Sequence, residues 1–200
     1  MPRISYVDPK DVSDPELSSY LEDAIRFGTP RLESQSIRAH VPDVLRTFSQ
    51  SWDRVFRHGI LDNTVKELAR VFVAQSIDCG YCAGQRSHVA AKEGLTETRY
   101  DGLLEFRESD RYSAREKAAL RWAEAIAWDP GLADDALWEE LHAHFSEPEL
   151  VELGHFIALT MGQQRFLKTL AIEHGDMATD SVGLAPEVAA RLAASSTPSD

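Results

Sequence analysis

Residues 61–94 read LDNTVKELARVFVAQSIDCGYCAGQRSHVAAKEG, and this stretch organises the reading of the whole chain. Lys66–Ile77 is strongly apolar with helical character, and Asp62, Asn63 and Thr64 before it are capping residues. Asp78 interrupts the run and can cap a second helix that starts at Cys79. That helix closes at Gly94, a residue suited to the left-handed position after a helix end. The expectation is a helical hairpin carrying Cys79-Gly80-Tyr81-Cys82 in the first turn of its second arm.

Cys79 and Cys82 are the only cysteines in 200 residues. Such a pair is the smallest unit that cycles between dithiol and disulfide, one thiolate attacking and its neighbour resolving. A closed structural zinc site needs four ligands, and the chain has no second cysteine pair. The plain alternative is two buried, inert thiols, since free cysteine packs well in cores. In the first turn of a helix, unpaired N–H groups and the positive helix end favour a thiolate.

On a continuous helix Cys79 and Cys82 share a face, and Arg86, four residues beyond Cys82, lies on the same stripe. Arg86 is therefore expected to favour the thiolate electrostatically. His88 falls on the opposite side and reads as an exposed or partner-facing residue. Glu67 precedes Cys79 by twelve residues. If the two helices fold back on each other, Glu67 lies level with residues 86–88. There it can pair with Arg86, act as a base through water, or be simple solvated surface.

The pattern of Glu67, eleven intervening residues and Cys79-x-Tyr81-Cys82, followed by helix, resembles the alkylhydroperoxidase D-like branch of the carboxymuconolactone decarboxylase superfamily. The resemblance runs from about Pro30 to about His174. Pro42-Asp43-Val44-Leu45 and the helix after it are similar to the family's lead-in, and Ser113–Ala127 and Phe145–Phe166 to its last helices. The resemblance implies an all-α fold, a homo-oligomer, and a dithiol centre that reduces peroxides or passes electrons to a peroxide-reducing partner. By position it makes Cys79 and Cys82 the redox pair and Glu67 the acidic end of a proton relay. The family's relay histidine, four residues after the second cysteine, is Arg86 here, and the histidine often found just before that cysteine is Tyr81. Arginine stays protonated and cannot shuttle a proton. A dithiol tuned by Arg86, with Glu67 as its counter-ion, fits these residues better. The superfamily's lactone decarboxylases do not depend on a Cys-x-x-Cys.

Composition bounds the remaining classes. A net charge of −12 argues against non-specific nucleic-acid binding, which needs basic surface. No apolar stretch approaches the roughly 20 residues needed to cross a bilayer, and MPRISYVDPKDVSD at the start has no apolar signal core. A cytoplasmic protein without membrane attachment is expected, where a Cys-x-x-Cys is more often catalytic than structural. No glycine-rich phosphate loop or nucleophile elbow is present, so nucleotide binding and serine hydrolysis have no support, and the expectation is a protein without a cofactor.

The rest of the chain reads as helix: Pro15–Phe27, Pro42–His58, Thr96–Phe106, Ser113–Trp128, a segment capped by Asp134 and ending at Phe145, and Ser146 to Glu173, loosened at Gly162. Ser113/Glu116 and Ser146/Glu149 are capping boxes. The fold class expected is all-α, a single-domain bundle of about six to eight helices with the Cys-x-x-Cys at a helix N-terminus. Residues 1–29 form an N-terminal extension with one helix, 30–175 the alkylhydroperoxidase D-like domain, and 176–200 a partly disordered tail with a short helix at Ala185–Ala194. Glu139-x-x-His142 and Glu152-x-x-His155 match half of a di-metal helical site, but only nine residues separate them. Chance matches and no metal are the expectation. The apolar run Phe156–Met161 suggests burial on several sides, as at an oligomer interface.

The functional expectation is a peroxidase or peroxiredoxin-type oxidoreductase. Cys82 attacks a hydroperoxide or a partner disulfide, Cys79 resolves, Arg86 holds the thiolate, and Glu67 orients Arg86 or takes a proton. A thiol electron-donor protein is the expected partner. Two rivals are a cofactor-free decarboxylase-like enzyme on a small organic acid, with Glu67 as base and Arg86 binding the carboxylate, and a non-catalytic helical oligomer with vestigial cysteines.

Overall fold

In a computed structural model, which describes residues 2–177 and 180–195, the chain is all-α. Helix α1, Pro15–Phe27, is capped by Asp14, which accepts from the N–H groups of Glu16 and Leu17, and it ends at Gly28 in the left-handed region. It buries Leu17, Leu21 and Ala24 against α2, Leu32–Arg38, and α3, Pro42–Ser51. Helix α3 continues into a π-helical turn over Trp52–Arg57, close to the predicted end at His58. Helix α2 was not legible in the sequence. Its residues, LESQSIR, are mostly polar, yet all seven are buried.

Helix α4, Asn63–Ser76, runs through the centre. Val65 and every residue from Lys66 to Ala74 are buried, so α4 has no solvent face along most of its length. A helix covered on all sides must satisfy its charged residues internally. Lys66 donates to the Val55 carbonyl at 2.7 Å and to Glu152 at 3.0 Å. Glu67 and Arg70 pair with each other.

The predicted second arm of the hairpin is broken in two: α5, Gly80–Ala83, and α6, His88–Lys92. The reason lies in who takes the backbone groups between them. In a continuous helix the Cys82 carbonyl would accept from the Arg86 N–H. Here that carbonyl accepts from the Arg70 guanidinium at 3.0 Å, and the Arg86 N–H donates to the Gly183 carbonyl at 2.8 Å. Ser87 then caps α6 through the Ala90 N–H. Cys79 caps α5 in place of Asp78, whose backbone is left-handed at φ 54°. The helix predicted over Thr96–Phe106 is likewise two short 3-10 turns, Glu97–Arg99 and Leu103–Glu105, parted by Gly102 at φ 68°.

Helices α7, Ala114–Ala127, α8, Asp135–His144, and α9, Glu147–Lys168, follow the sequence closely. Both predicted capping boxes form, and Asp134 caps α8. Helix α9 passes Gly162 without interruption and ends at Lys168, short of Glu173. Leu68, Val71 and Phe72 of α4 share the main core with Leu120 and Ala123 of α7 and Leu153 and Ile157 of α9. Among the described residues no helix is long and apolar enough to cross a membrane.

The chain then returns across the cysteine segment. The Ala185 N–H donates to the Gly84 carbonyl at 2.9 Å, Gln85 and Leu184 form an isolated bridge, and α10, Pro186–Ser195, packs Val188 against Gly84. Residues 196–200, where disorder is expected, lie outside the described residues.

Glycines mark where this return is held closely. A Cβ on Gly28 would sit 2.2 Å from the Val182 carbonyl oxygen, and φ is 67° there. On Gly162 it would meet nothing within 4 Å. Gly28→Ala is expected to destabilise by at least about 1–2 kcal/mol from the left-handed backbone alone. Gly162→Ala should stabilise by about 0.5–1 kcal/mol through helix propensity. Urea unfolding midpoints of the two variants should move in opposite directions.

Candidate redox site

Cys79 and Cys82 are joined by a disulfide across a Cα separation of 5.3 Å. Cys79 Sγ also accepts from the Cys82 N–H at 3.4 Å. Each cysteine is 2% exposed, and both sit in an apolar cluster with Ala74, Ile77, Leu167 and Leu170. Helix α5 is a single turn, so its dipole is a smaller influence on Cys79 than the long helix expected from sequence.

The charged group that organises this loop is Arg70. Its Nε and Nη2 donate to the two oxygens of Glu67 at 2.7 and 2.8 Å, a bidentate pair with both residues buried. Nη1 donates to the Cys82 carbonyl at 3.0 Å, and Nη2 also to the Gln85 carbonyl at 2.8 Å. Glu67 further accepts from the Ser87 N–H at 2.8 Å. The Glu67 carboxylate is thus held between a guanidinium and the loop backbone. Glu67 is neither solvated surface nor paired with Arg86.

Arg86 lies elsewhere because α5 stops at Ala83 and the register of a continuous helix does not apply. Its guanidinium donates to Glu97 at 3.0 Å and to the carbonyls of Ala83 and Gln85 at 2.7 and 3.0 Å. It also rests 4.0 Å from the centre of the Tyr100 ring. The expected Glu67–Arg86 counter-ion pair is replaced by Glu67–Arg70 and Glu97–Arg86. Sequence reasoning passed over Arg70, although an acid and a base three apart in an otherwise apolar helix are a readable ion-pair signal.

On one side of the pair lies Tyr81, buried, its hydroxyl donating to Glu33 at 3.4 Å. Burial and the Glu33 charge push the phenol well above its ordinary range. His174 stacks on the Tyr81 ring at 4.5 Å, and its Nε2 is 2.9 Å from the Tyr81 carbonyl. A carbonyl can only accept, so Nε2 carries the proton and Nδ1 presents a buried lone pair with no partner. Burial, with Arg31 adding, pushes the imidazole down to about 4. No sequence signal pointed to His174, which lies 92 residues beyond Cys82.

On the other side Cys82 lines a cavity of about 30 Å³, with Arg38, Trp52, Arg70, Thr160 and Gln164 on its wall. Space of that size takes about two or three water-sized groups. Among the described residues no His, Cys, Asp or Glu cluster could hold a metal ion. Glu152, from one of the two Glu-x-x-His units, is committed to Lys66 and to the N–H groups of Ile60 and Leu61.

Residues 42–125 match the model of the carboxymuconolactone decarboxylase family. The chain is 31% identical to the uncharacterized protein YdfG of Bacillus subtilis over 102 residues, covering 50% of this chain and 69% of that one. Other curated relatives are matched over only 62% or 35% of their own length. The debrominase Bmp8 shares the fold at a TM-score of 0.72 and 21% identity, over 86% of this chain and 92% of Bmp8. An uncharacterized peroxidase-related protein with an alkylhydroperoxidase AhpD core, from Ralstonia eutropha, does so at 0.72 and 17%, over 88% and 93%.

Two predictions come from this geometry. Glu67→Gln leaves the Arg70 guanidinium buried without its counter-charge and should cost about 3–5 kcal/mol in urea unfolding. Arg86→Ala, with its partner Glu97 on the surface, should cost much less. In double-mutant cycles Glu67 should couple strongly to Arg70 and much more weakly to Arg86, which it meets only through the shared loop at Gln85.

His174 is depressed in the folded state, so the unfolded chain binds its proton more tightly. Its contribution is complete above about pH 6.5 and is lost as pH falls toward 4. Stability should therefore decline by roughly 2–3 kcal/mol over that window. The His174→Gln variant should show a flatter profile there, and an unchanged slope would remove His174 as its cause.

Proposed function

Because the chain belongs to the carboxymuconolactone decarboxylase family and shares its fold with an alkylhydroperoxidase D core, we propose that it is a dithiol oxidoreductase that reduces small hydroperoxides. The observation that carries this reading is the disulfide-bonded Cys79–Cys82 pair, with Cys82 on the wall of a small cavity that Arg38, Arg70 and Gln164 also line. Both cysteines are 2% exposed, which favours a small oxidant over the disulfide of a protein partner.

In the proposed cycle the Cys82 thiolate attacks one oxygen of R–O–O–H. The O–O bond breaks, an S–O bond forms, and R–O⁻ takes a proton to leave as the alcohol. Cys82 is then a sulfenic acid. The Cys79 thiolate attacks its sulfur, the S–O bond breaks, and hydroxide takes a proton to leave as water. The product is the Cys79–Cys82 disulfide. Two electrons and two protons from a dithiol donor restore the pair.

Glu67 acts here as a positioning residue. It holds Arg70, and Arg70 holds the carbonyls of Cys82 and Gln85. Arg86 positions the same loop from its outer side through the carbonyls of Ala83 and Gln85. Neither needs to shuttle a proton, which accords with an arginine at the relay position. Assembly into a homo-oligomer belongs to the same proposal.

Reduced protein treated with one equivalent of methyl hydroperoxide, which is about the size of formate, should lose both thiols to the internal disulfide. Cys79→Ser should lose its one thiol and yield a sulfenic acid on Cys82 that dimedone traps. Cys82→Ser should keep its remaining thiol. Survival of both thiols in the wild-type protein would sink the redox reading, and turnover persisting in the doubly serine-substituted protein would move the chemistry away from sulfur.

A further inference from the structure

Six buried side-chain atoms among the described residues have no hydrogen-bond partner, and three of them belong to residues lining the cavity at Cys82. They are Arg38 Nε, Trp52 Nε1 and Gln164 Oε1. Arg38, Trp52 and Gln164 are 3%, 5% and 4% exposed. Gln164 is held in place, its amide nitrogen donating to the Arg70 carbonyl at 2.9 Å and to Thr160 at 3.1 Å.

Arg38 is the unusual member. Its two terminal nitrogens donate to the amide oxygens of Gln35 and Gln163, each at 2.9 Å, and its guanidinium lies 3.7 Å from the centre of the Phe48 ring. These partners are all neutral. The neighbouring carboxylates are committed: Glu33 pairs with Arg31 and Glu67 with Arg70. Burial pushes Arg38 down to about 10, still charged at neutral pH. A buried cation without a counter-charge is costly. A water molecule could occupy the unused donors but would not cancel the charge.

We infer that the cavity beside Cys82 is a binding site for a small carboxylate, which takes the Arg38 Nε–H and Trp52 Nε1–H as its donors. Gln164 Oε1 remains to accept from a hydroxyl or a water molecule beside it. A volume of about 30 Å³ limits the ligand to the size of formate or a little larger. Binding stands on this geometry alone. That a carboxylate held there occupies the oxidant's place beside Cys82 rests on the hydroperoxidase reading above.

The test uses the oxidised, ¹⁵N-labelled protein and sodium formate at millimolar concentrations, with formamide as the neutral match. Formate should shift the indole N–H signal of Trp52, identified by its loss in Trp52→Phe, and formamide should not. Arg38→Gln should weaken formate binding about tenfold or more, the loss expected for a charge-assisted bond. Arg38→Lys should retain part of it. No shift with formate, or equal shifts with formate and formamide, overturns the site even if the Arg38 variants fail to fold. In peroxide turnover, formate should compete with substrate and formamide should not. If formate binds and the protein consumes no peroxide, the site stands and the hydroperoxidase reading falls. If peroxide is consumed and formate does not bind, the reverse holds.

Discussion

The Glu67–Arg70 pair is the constraint on which the local architecture turns. Two opposite charges three residues apart on a buried helix neutralise each other, so α4 can run through the interior. The guanidinium has more donors than the carboxylate can use, and the surplus reaches the carbonyls of Cys82 and Gln85. Those contacts replace helical hydrogen bonds and open the backbone between α5 and α6. The cysteine loop takes its shape from a charge one helix away.

Once opened, that backbone is completed by the far end of the chain. Gly183 and Ala185 exchange hydrogen bonds with Arg86 and Gly84, and Thr29 accepts a place beside them by donating its hydroxyl to the Arg86 carbonyl at 2.9 Å. Tyr81 ties the same loop to Glu33 and His174. The cysteine pair is therefore enclosed by segments from both ends of the chain. Enclosure explains how a disulfide can sit almost without exposure and still border a small cavity on its Cys82 side.

That cavity sets two guanidinium groups in different electrostatic states. Arg70 is neutralised by Glu67 and serves the fold. Arg38, held only by amides and an aromatic face, keeps an uncancelled charge. The contrast separates a structural arginine from one available to a ligand, although both are buried and both line the cavity.

The sequence by itself determined the helical class and helices α1, α3, α4, α7, α8 and α9, with the stop at Gly28, the Asp134 cap and the two capping boxes, though Asp62, Asn63 and Thr64 give α4 no side-chain cap. These follow from apolar periodicity and from residues within four of each other, where local backbone chemistry decides. It did not reveal α2, whose polar residues are buried only because tertiary partners satisfy them, nor the break at Gly84–Ser87. It placed Arg86 on the cysteine face by assuming an unbroken helix, and it offered no reason to choose Arg38, Arg70 or His174. Those assignments belong to the tertiary structure. A buried charge takes the partner that packing brings to it, across separations that no local pattern records.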